Sequence, residues 1–170
     1  MKKIFAIFAF LCAAVINIQA ERVFVGAEQT KLYLPLLKGK RVALLSNHTG
    51  IVIQGTDTIH TLDLLLKHGV EVTAIFSPEH GFRGTAREGE HVASSVDAKT
   101  GIPILSLYDG KSQRPSKEAM QTFDILITDI QDVGLRFYTY YVTMYRLMNA
   151  CASEGKQFMV FDRPNPNGFY

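Results

Sequence analysis

Behind the apolar run 70–76 the chain continues Ser77-Pro78-Glu79-His80-Gly81-Phe82-Arg83-Gly84, so a carboxylate, an imidazole and a guanidinium follow one another closely. A carboxyl group held between Pro78 and His80-Gly81, with apolar residues behind it, is partly stripped of water. That disfavours its charged form, raises its pKa and suits it to donate a proton as a general acid. His80 and Arg83 could orient such an acid or bind an anionic substrate, whereas the purely structural alternative pairs Glu79 with Arg83 or Arg87. The same kind of chemistry follows four other apolar runs. Ser46, Asn47 and His48 follow 41–46; Tyr108 and Asp109 follow 102–107; Gln131, Asp132 and Arg136 follow 124–130, near whose end Asp129 stands; Asp162, Arg163, Asn165 and Asn167 follow 157–161.

These five runs must be the elements that position the polar residues. "VALLS", "VTAIF" and "ILITDI" are nearly continuous rather than alternating, which is the habit of strands covered on both faces in a parallel sheet. Between them lie helical patterns. Residues 58–68 carry Ile59, Leu62, Leu65 and Leu66 at helical spacing before Gly69, and Phe137, Tyr140, Tyr141, Met144, Leu147, Met148 and Cys151 form a longer stripe, read as core packing, before Gly155. Pro115-Ser116-Lys117-Glu118 starts a short third helix with a capping residue and an early acid. Strands alternating with helices predict an α/β fold, a doubly wound, mainly parallel sheet of about five strands. In such sheets ligands bind outside the carboxyl ends of the strands, where the polar residues collect. The segment 78–101 is expected to be one long irregular loop, and loops of that length are usually functional or disordered.

Gly50-Ile-Val-Ile-Gln-Gly55-Thr56 has the glycine spacing of a phosphate loop but no lysine, and no dinucleotide fingerprint follows the first strand, so it is read as a turn. His48, Glu79, His80, His91, Asp129 and Asp132 could supply metal ligands, yet none of the usual local spacings occurs, and a metal-dependent hydrolase is the lesser alternative. Asp129 and Asp132 could instead bond backbone amides or cap the following helix. His60 and His68 are read as lying on a solvated helix face.

Residues 1–20 read as a signal peptide: Met1-Lys2-Lys3, an apolar run too short for a stable membrane span, then Ile18-Gln19-Ala20. Cleavage after Ala20 is expected, giving an exported, periplasmic or secreted protein that no longer engages the membrane. Without Lys2 and Lys3 the 18 basic residues become 16, equal to the 16 acidic ones. A mature chain of zero net charge without a basic stripe implies no nucleic-acid partner. Its single cysteine, Cys151, allows no internal disulfide.

The segments "LLSNHTG", "IFSPEHGFRG", "TGIPILSLYDG", "DILITDIQDVGLRFYTY" and "FDRPNPNG" resemble, in order, the exo-β-N-acetylmuramidase family of the NamZ type, over residues 38–168. The resemblance implies a Rossmann-like amino-terminal catalytic domain, here residues 21–170, followed in the family by a smaller carboxyl-terminal domain that this chain is expected to lack. It further implies a glycoside hydrolase that releases N-acetylmuramic acid from the non-reducing ends of peptidoglycan fragments, with muropeptides as partners and no cofactor or metal. Glu79 corresponds to the catalytic glutamate of "SPEHG". Glycoside hydrolysis normally uses a second carboxylate, for which Glu90 and Asp129 are candidates. Asn47, His48, His80, Arg83, Gln131, Arg163 and Asn165 fall on family motifs as substrate-binding candidates, and Arg83 or Arg163 could meet the lactyl carboxylate of muramic acid. The alternative is a non-catalytic lobe that binds cell-wall sugar.

Overall fold

The computed structural model describes residues 22–78, 81–82, 95–107 and 114–168. A short 3-10 turn at Gly26–Glu28 leads into helix α1 (Thr30–Leu37) and strand β1 (Arg41–Ser46). A hairpin of β2 (Ile51–Gln54) and β3 (Asp57–His60) follows, then α2 (Thr61–Lys67) and β4 (Glu71–Ser77). Beyond these come β5 (Ser95–Val96), β6 (Pro103–Ser106), α3 (Lys117–Met120), β7 (Ile125–Asp129), α4 (Tyr140–Ser153) and β8 (Gln157–Val160). The main sheet runs β5-β6-β4-β1-β7-β8, parallel except for β5 against β6. It is a Rossmann-like α/β sheet of six strands.

The unbroken apolar runs are explained by cover on both faces. Val42 and Leu44 of β1 and Ile125 and Ile127 of β7 pack with Tyr33, Leu37, Leu62 and Leu65 from α1 and α2. Ala43, Leu45 and Leu126 point the other way, against Met120, Leu147 and Cys151 from α3 and α4. Successive residues of a strand project to opposite faces, so each central strand feeds two cores. Among the described residues, no helix is long and apolar enough to cross a membrane.

Four expectations need correction. The helix expected over 58–68 begins only at Thr61, because residues 57–60 pair with 51–54 as a hairpin around Gly55, at φ +64°. His60 therefore sits at a strand end and caps α2 instead of lying on its solvated face. The loop expected over 78–101 contains the edge strand Ser95–Val96. Phe137 lies before α4 and is 80% exposed, while Tyr141 and Met148 on α4 are also exposed; the buried stripe is Tyr140, Thr143, Leu147 and Cys151.

Candidate functional site

β1 and β7 lie in register with Ser46 opposite Asp129, so the loops leaving both strands start side by side. Ser46 Oγ ties the two ends by donating to the Asp129 carbonyl at 2.8 Å. The turn after β1 is organised by Asn47, which is fully buried. Its Nδ2 donates to Tyr140 Oη at 2.9 Å, and its Oδ1 accepts from Thr49 N at 2.9 Å and Thr49 Oγ1 at 2.6 Å. The Asn47 carbonyl accepts from Gly50 N at 3.0 Å and faces His60 Nε2 at 2.8 Å. Because His60 Nδ1 accepts from Leu62 N at 3.1 Å, the proton of a neutral ring belongs on Nε2, which donates to Asn47. A Cβ at Gly50 would stand 2.2 Å from Ser46 Oγ and 3.3 Å from the carbonyls of Asn47 and Asp129, so the turn closes only over glycine. Asn47 thus belongs to the scaffold, and its hydrogen bonds leave the neighbouring His48 exposed.

Asp129 is 0% exposed and both of its carboxylate oxygens are engaged. Arg163 Nε donates to Oδ1 at 2.6 Å and Nη2 to Oδ2 at 3.0 Å, a bidentate pair in which the arginine side chain is 6% exposed. Thr61 Oγ1 at the start of α2 donates to Oδ2 as well, and Arg163 Nη2 reaches the Ile51 carbonyl at 3.0 Å. The charge of Asp129 is felt at Tyr33, whose phenol is pushed up to about 12, first by burial and second by that carboxylate. Asp129, one of the two candidates for the second carboxylate, is thus bonded by Arg163 and Thr61, and Arg163, one of the two arginines offered for the lactyl carboxylate, holds Asp129. Together they clamp the β7 end, the β8 exit, the hairpin and α2 into one unit.

His48, Gln131 and Arg163 line a cleft of about 490 Å³ with Ile51 and Ile53 of the hairpin and Val23 and Val25 of the leading segment. Gln131 is held by its backbone N–H on Thr49 Oγ1 at 3.1 Å, and its Nε2 donates to the carbonyls of Asp132 at 2.8 Å and Pro164 at 2.9 Å. Asn165 is exposed and accepts from Asn167 N at 2.9 Å through Oδ1. Of the residues singled out in the sequence, the structure gathers Asn47, His48, Asp129, Gln131, Arg163 and Asn165 at one edge. Glu79, His80, Arg83 and Glu90 lie outside the described residues; β4, which precedes Glu79 in the chain, ends at this same carboxyl edge with buried Ser77. Thr49 and Thr61 were not singled out, and His60 and Tyr140 were read as a helix face and core packing and not as part of this edge. The spacing Asn47-x-Thr49 is the signal that points to the first, since a short polar side chain readily bonds the backbone two residues on. Among the described residues, no three His, Cys, Asp or Glu side chains converge as metal ligands.

Residues 42–170 match the family model described as exo-beta-N-acetylmuramidase NamZ, N-terminal. The chain belongs to the NamZ family. It is 47% identical over 137 residues to the peptidoglycan beta-N-acetylmuramidase NamZ of Bacillus subtilis strain 168, covering 80% of this chain and 32% of that protein. Two crystal structures of DUF1343 family proteins from Bacteroides fragilis NCTC 9343 have the same fold. One is 55% identical with a TM-score of 0.73, covering 88% of this chain and 37% of the other. The second is 39% identical with a TM-score of 0.73, covering 86% and 36%. This NamZ-family chain therefore spans about a third of the length of the relatives it matches.

Proposed function

We propose that the chain is the amino-terminal part of an exported exo-β-N-acetylmuramidase that releases N-acetylmuramic acid from the non-reducing ends of peptidoglycan fragments. The observation that carries this reading is the identity of 47% over 137 residues with a protein named as a peptidoglycan muramidase. The carboxyl edge of the sheet is compatible with it: His48 is presented beside Gln131 in a cleft with both polar and apolar walls, the mixture that a sugar ring needs.

In this reading Glu79 protonates the leaving glycosidic oxygen, and Glu90 is the candidate for the second carboxylate. Asp129 acts through position, holding Arg163 and the hairpin that forms one wall of the cleft. Residues 1–20 direct export and are removed, so the enzyme works in the periplasm or outside the cell.

The test is Glu79→Gln in the full-length protein, assayed on natural muropeptides and on a chromogenic muramic acid glycoside. Loss of the proton should slow the natural reaction by about a hundredfold to ten-thousandfold. The chromogenic substrate, whose leaving group needs little protonation, should suffer less. Near-normal turnover of muropeptides would remove Glu79 from the role of acid, and binding without release by the wild-type protein would replace the enzyme by a sugar-binding lobe.

A further inference from the structure

Half-buried His60 is bonded through both ring nitrogens and packed on its ring, and the three contacts reach three different parts of the fold. Nδ1 accepts from Leu62 N at 3.1 Å and so caps α2, while Nε2 donates to the Asn47 carbonyl at 2.8 Å in the turn after β1. The ring meets Phe82 edge to face, with centres 5.0 Å apart and planes at 76°. A helix cap needs only the first of these contacts. The other two join the exits of β1 and β4, which are neighbouring parallel strands.

Both exits carry residues of the proposed reaction. The Asn47 carbonyl closes the turn that presents exposed His48, since it also accepts from Gly50 N at 3.0 Å. Phe82 is 3% exposed in the core that contains Leu62, Ile75 and Ile104, so the chain after β4 is pinned there. Just before it, Gly81 N donates to the Pro78 carbonyl at 3.1 Å, and Glu79 and His80 are the two residues that this bond spans in the sequence. The turn after β1 is tied to the exit of β7 by Gln131 N on Thr49 Oγ1, and to α4 by Asn47 Nδ2 on Tyr140. A tie toward the exit of β4 runs through His60. Its imidazole places an acceptor close to the backbone and a donor further out in one rigid plane. Asparagine would supply the acceptor as a good cap, but its side chain ends too soon to meet both the Asn47 carbonyl and Phe82.

We propose that His60 is a positioning residue that fixes the turn bearing His48 against the segment 78–82, in which Glu79 stands, and so sets the spacing at which the two strand exits meet a saccharide. The proposal rests on the muramidase reading for the reaction, whereas the link itself does not depend on hydrolysis.

The experiment compares the full-length wild type with His60→Ala, His60→Asn, Phe82→Leu and the double variant His60→Asn/Phe82→Leu. Each is followed by thermal melting, by turnover of natural muropeptides and the chromogenic glycoside, and by hydrogen exchange in the peptides containing Gly50 and Gly81. His60→Asn should regain most of the melting temperature lost in His60→Ala, because the cap for Leu62 N returns. Its kcat should nevertheless stay about ten- to a hundredfold below wild type, with KM moving less than about threefold, the cost of reacting groups held slightly out of place. The amides of Gly50 and Gly81 should both exchange about tenfold faster in it, as local opening becomes easier. Phe82→Leu should lower kcat similarly, and the double variant should be no worse than the poorer single one, since both changes remove the same link. Wild-type turnover in His60→Asn overturns the proposal, because His60 is then a cap and nothing more. So does a His60→Asn protein that fails to fold or melts no higher than His60→Ala. Additive losses in the double variant overturn it too, since the two residues then act separately. If the wild type cleaves neither substrate while Gly50 and Gly81 open together in His60→Asn, the link stands and the muramidase reading falls. If exchange at Gly81 is unchanged in that variant, the link falls whatever the turnover.

Discussion

Replacing Arg163 by methionine should destabilise the protein severely while leaving a chain of nearly the same shape. The magnitude follows from what Asp129 would lose: two hydrogen bonds from one guanidinium, at 2.6 and 3.0 Å, in a site where the carboxylate is 0% exposed. Thr61 Oγ1 would remain as a donor, but one neutral hydroxyl cannot replace a charge. Stranding a buried ion costs about 3–5 kcal/mol, against a total stability of about 5–15 kcal/mol for a domain. With a urea slope of about 2 kcal/mol per molar, the midpoint of unfolding should fall by roughly 1.5–2.5 M at unchanged slope. The assay is equilibrium urea unfolding, followed by far-ultraviolet circular dichroism, on the wild type, Arg163→Met, Asp129→Leu and the double variant. Removing both charges should restore much of the loss, since an apolar pair of similar volume is often no worse than a buried salt bridge. A loss below about 1 kcal/mol in Arg163→Met would refute the buried-clamp account. So would an Asp129→Asn protein of wild-type stability with abolished turnover, which is the behaviour of a catalytic carboxylate.

The turn after β1 should be as sensitive: Gly50→Ala drives a Cβ into Ser46 Oγ and should cost about 1–3 kcal/mol, measured by thermal melting, with partial rescue by Ser46→Ala. At the sheet's other end, hydrogen bonding to Arg41 holds the Asp124 carboxyl down at about 2, below its ordinary 3.8. A depressed folded-state pKa adds stability above the unfolded value that is lost as pH falls through the folded one, so the melting difference between wild type and Asp124→Asn should shrink between about pH 4 and pH 2. His60→Ala removes the acceptor for Leu62 N at the start of α2 and should cost about 1 kcal/mol, checked by the same urea titration.

The sheet was legible because burial on both faces writes a continuous apolar run, and β1 appears at the residues that such a run marks, Arg41–Ser46. The hairpin was not legible. Exposed Ile51 and Ile53 flank inward Val52 as in a half-exposed strand, but the flanking glycines gave the segment the spacing of a phosphate loop. Ile59 meanwhile continued the helical spacing of α2 backward by chance. α1 was hidden by Pro35, which removes a helical hydrogen-bond donor, although the helix is tied to its surroundings through its own Tyr33. Tyr33 donates to the Ala27 carbonyl at 3.0 Å and packs against Phe161 with ring centres 4.4 Å apart. Propensity cannot register a helix that tertiary contacts support in this way.

The site shows a different limit. Motif residues at the carboxyl edge form two physical classes that one sequence pattern cannot separate. Asn47 is buried with its amide oxygen and nitrogen both bonded, and Asp129 is buried with both carboxylate oxygens bonded, so the one maintains the turn and the other the clamp. His48 is exposed on the turn that Asn47 fixes, whereas Thr128 Oγ1, next to Asp129, is buried without a hydrogen-bond partner among the described residues. Neighbouring residues divide the labour because a strand sends alternate side chains to opposite faces and a tight turn exposes one residue while burying the next. At the turn after β1, exposed His48 is therefore better placed for contact with a ligand than buried Asn47, which holds the edge in shape.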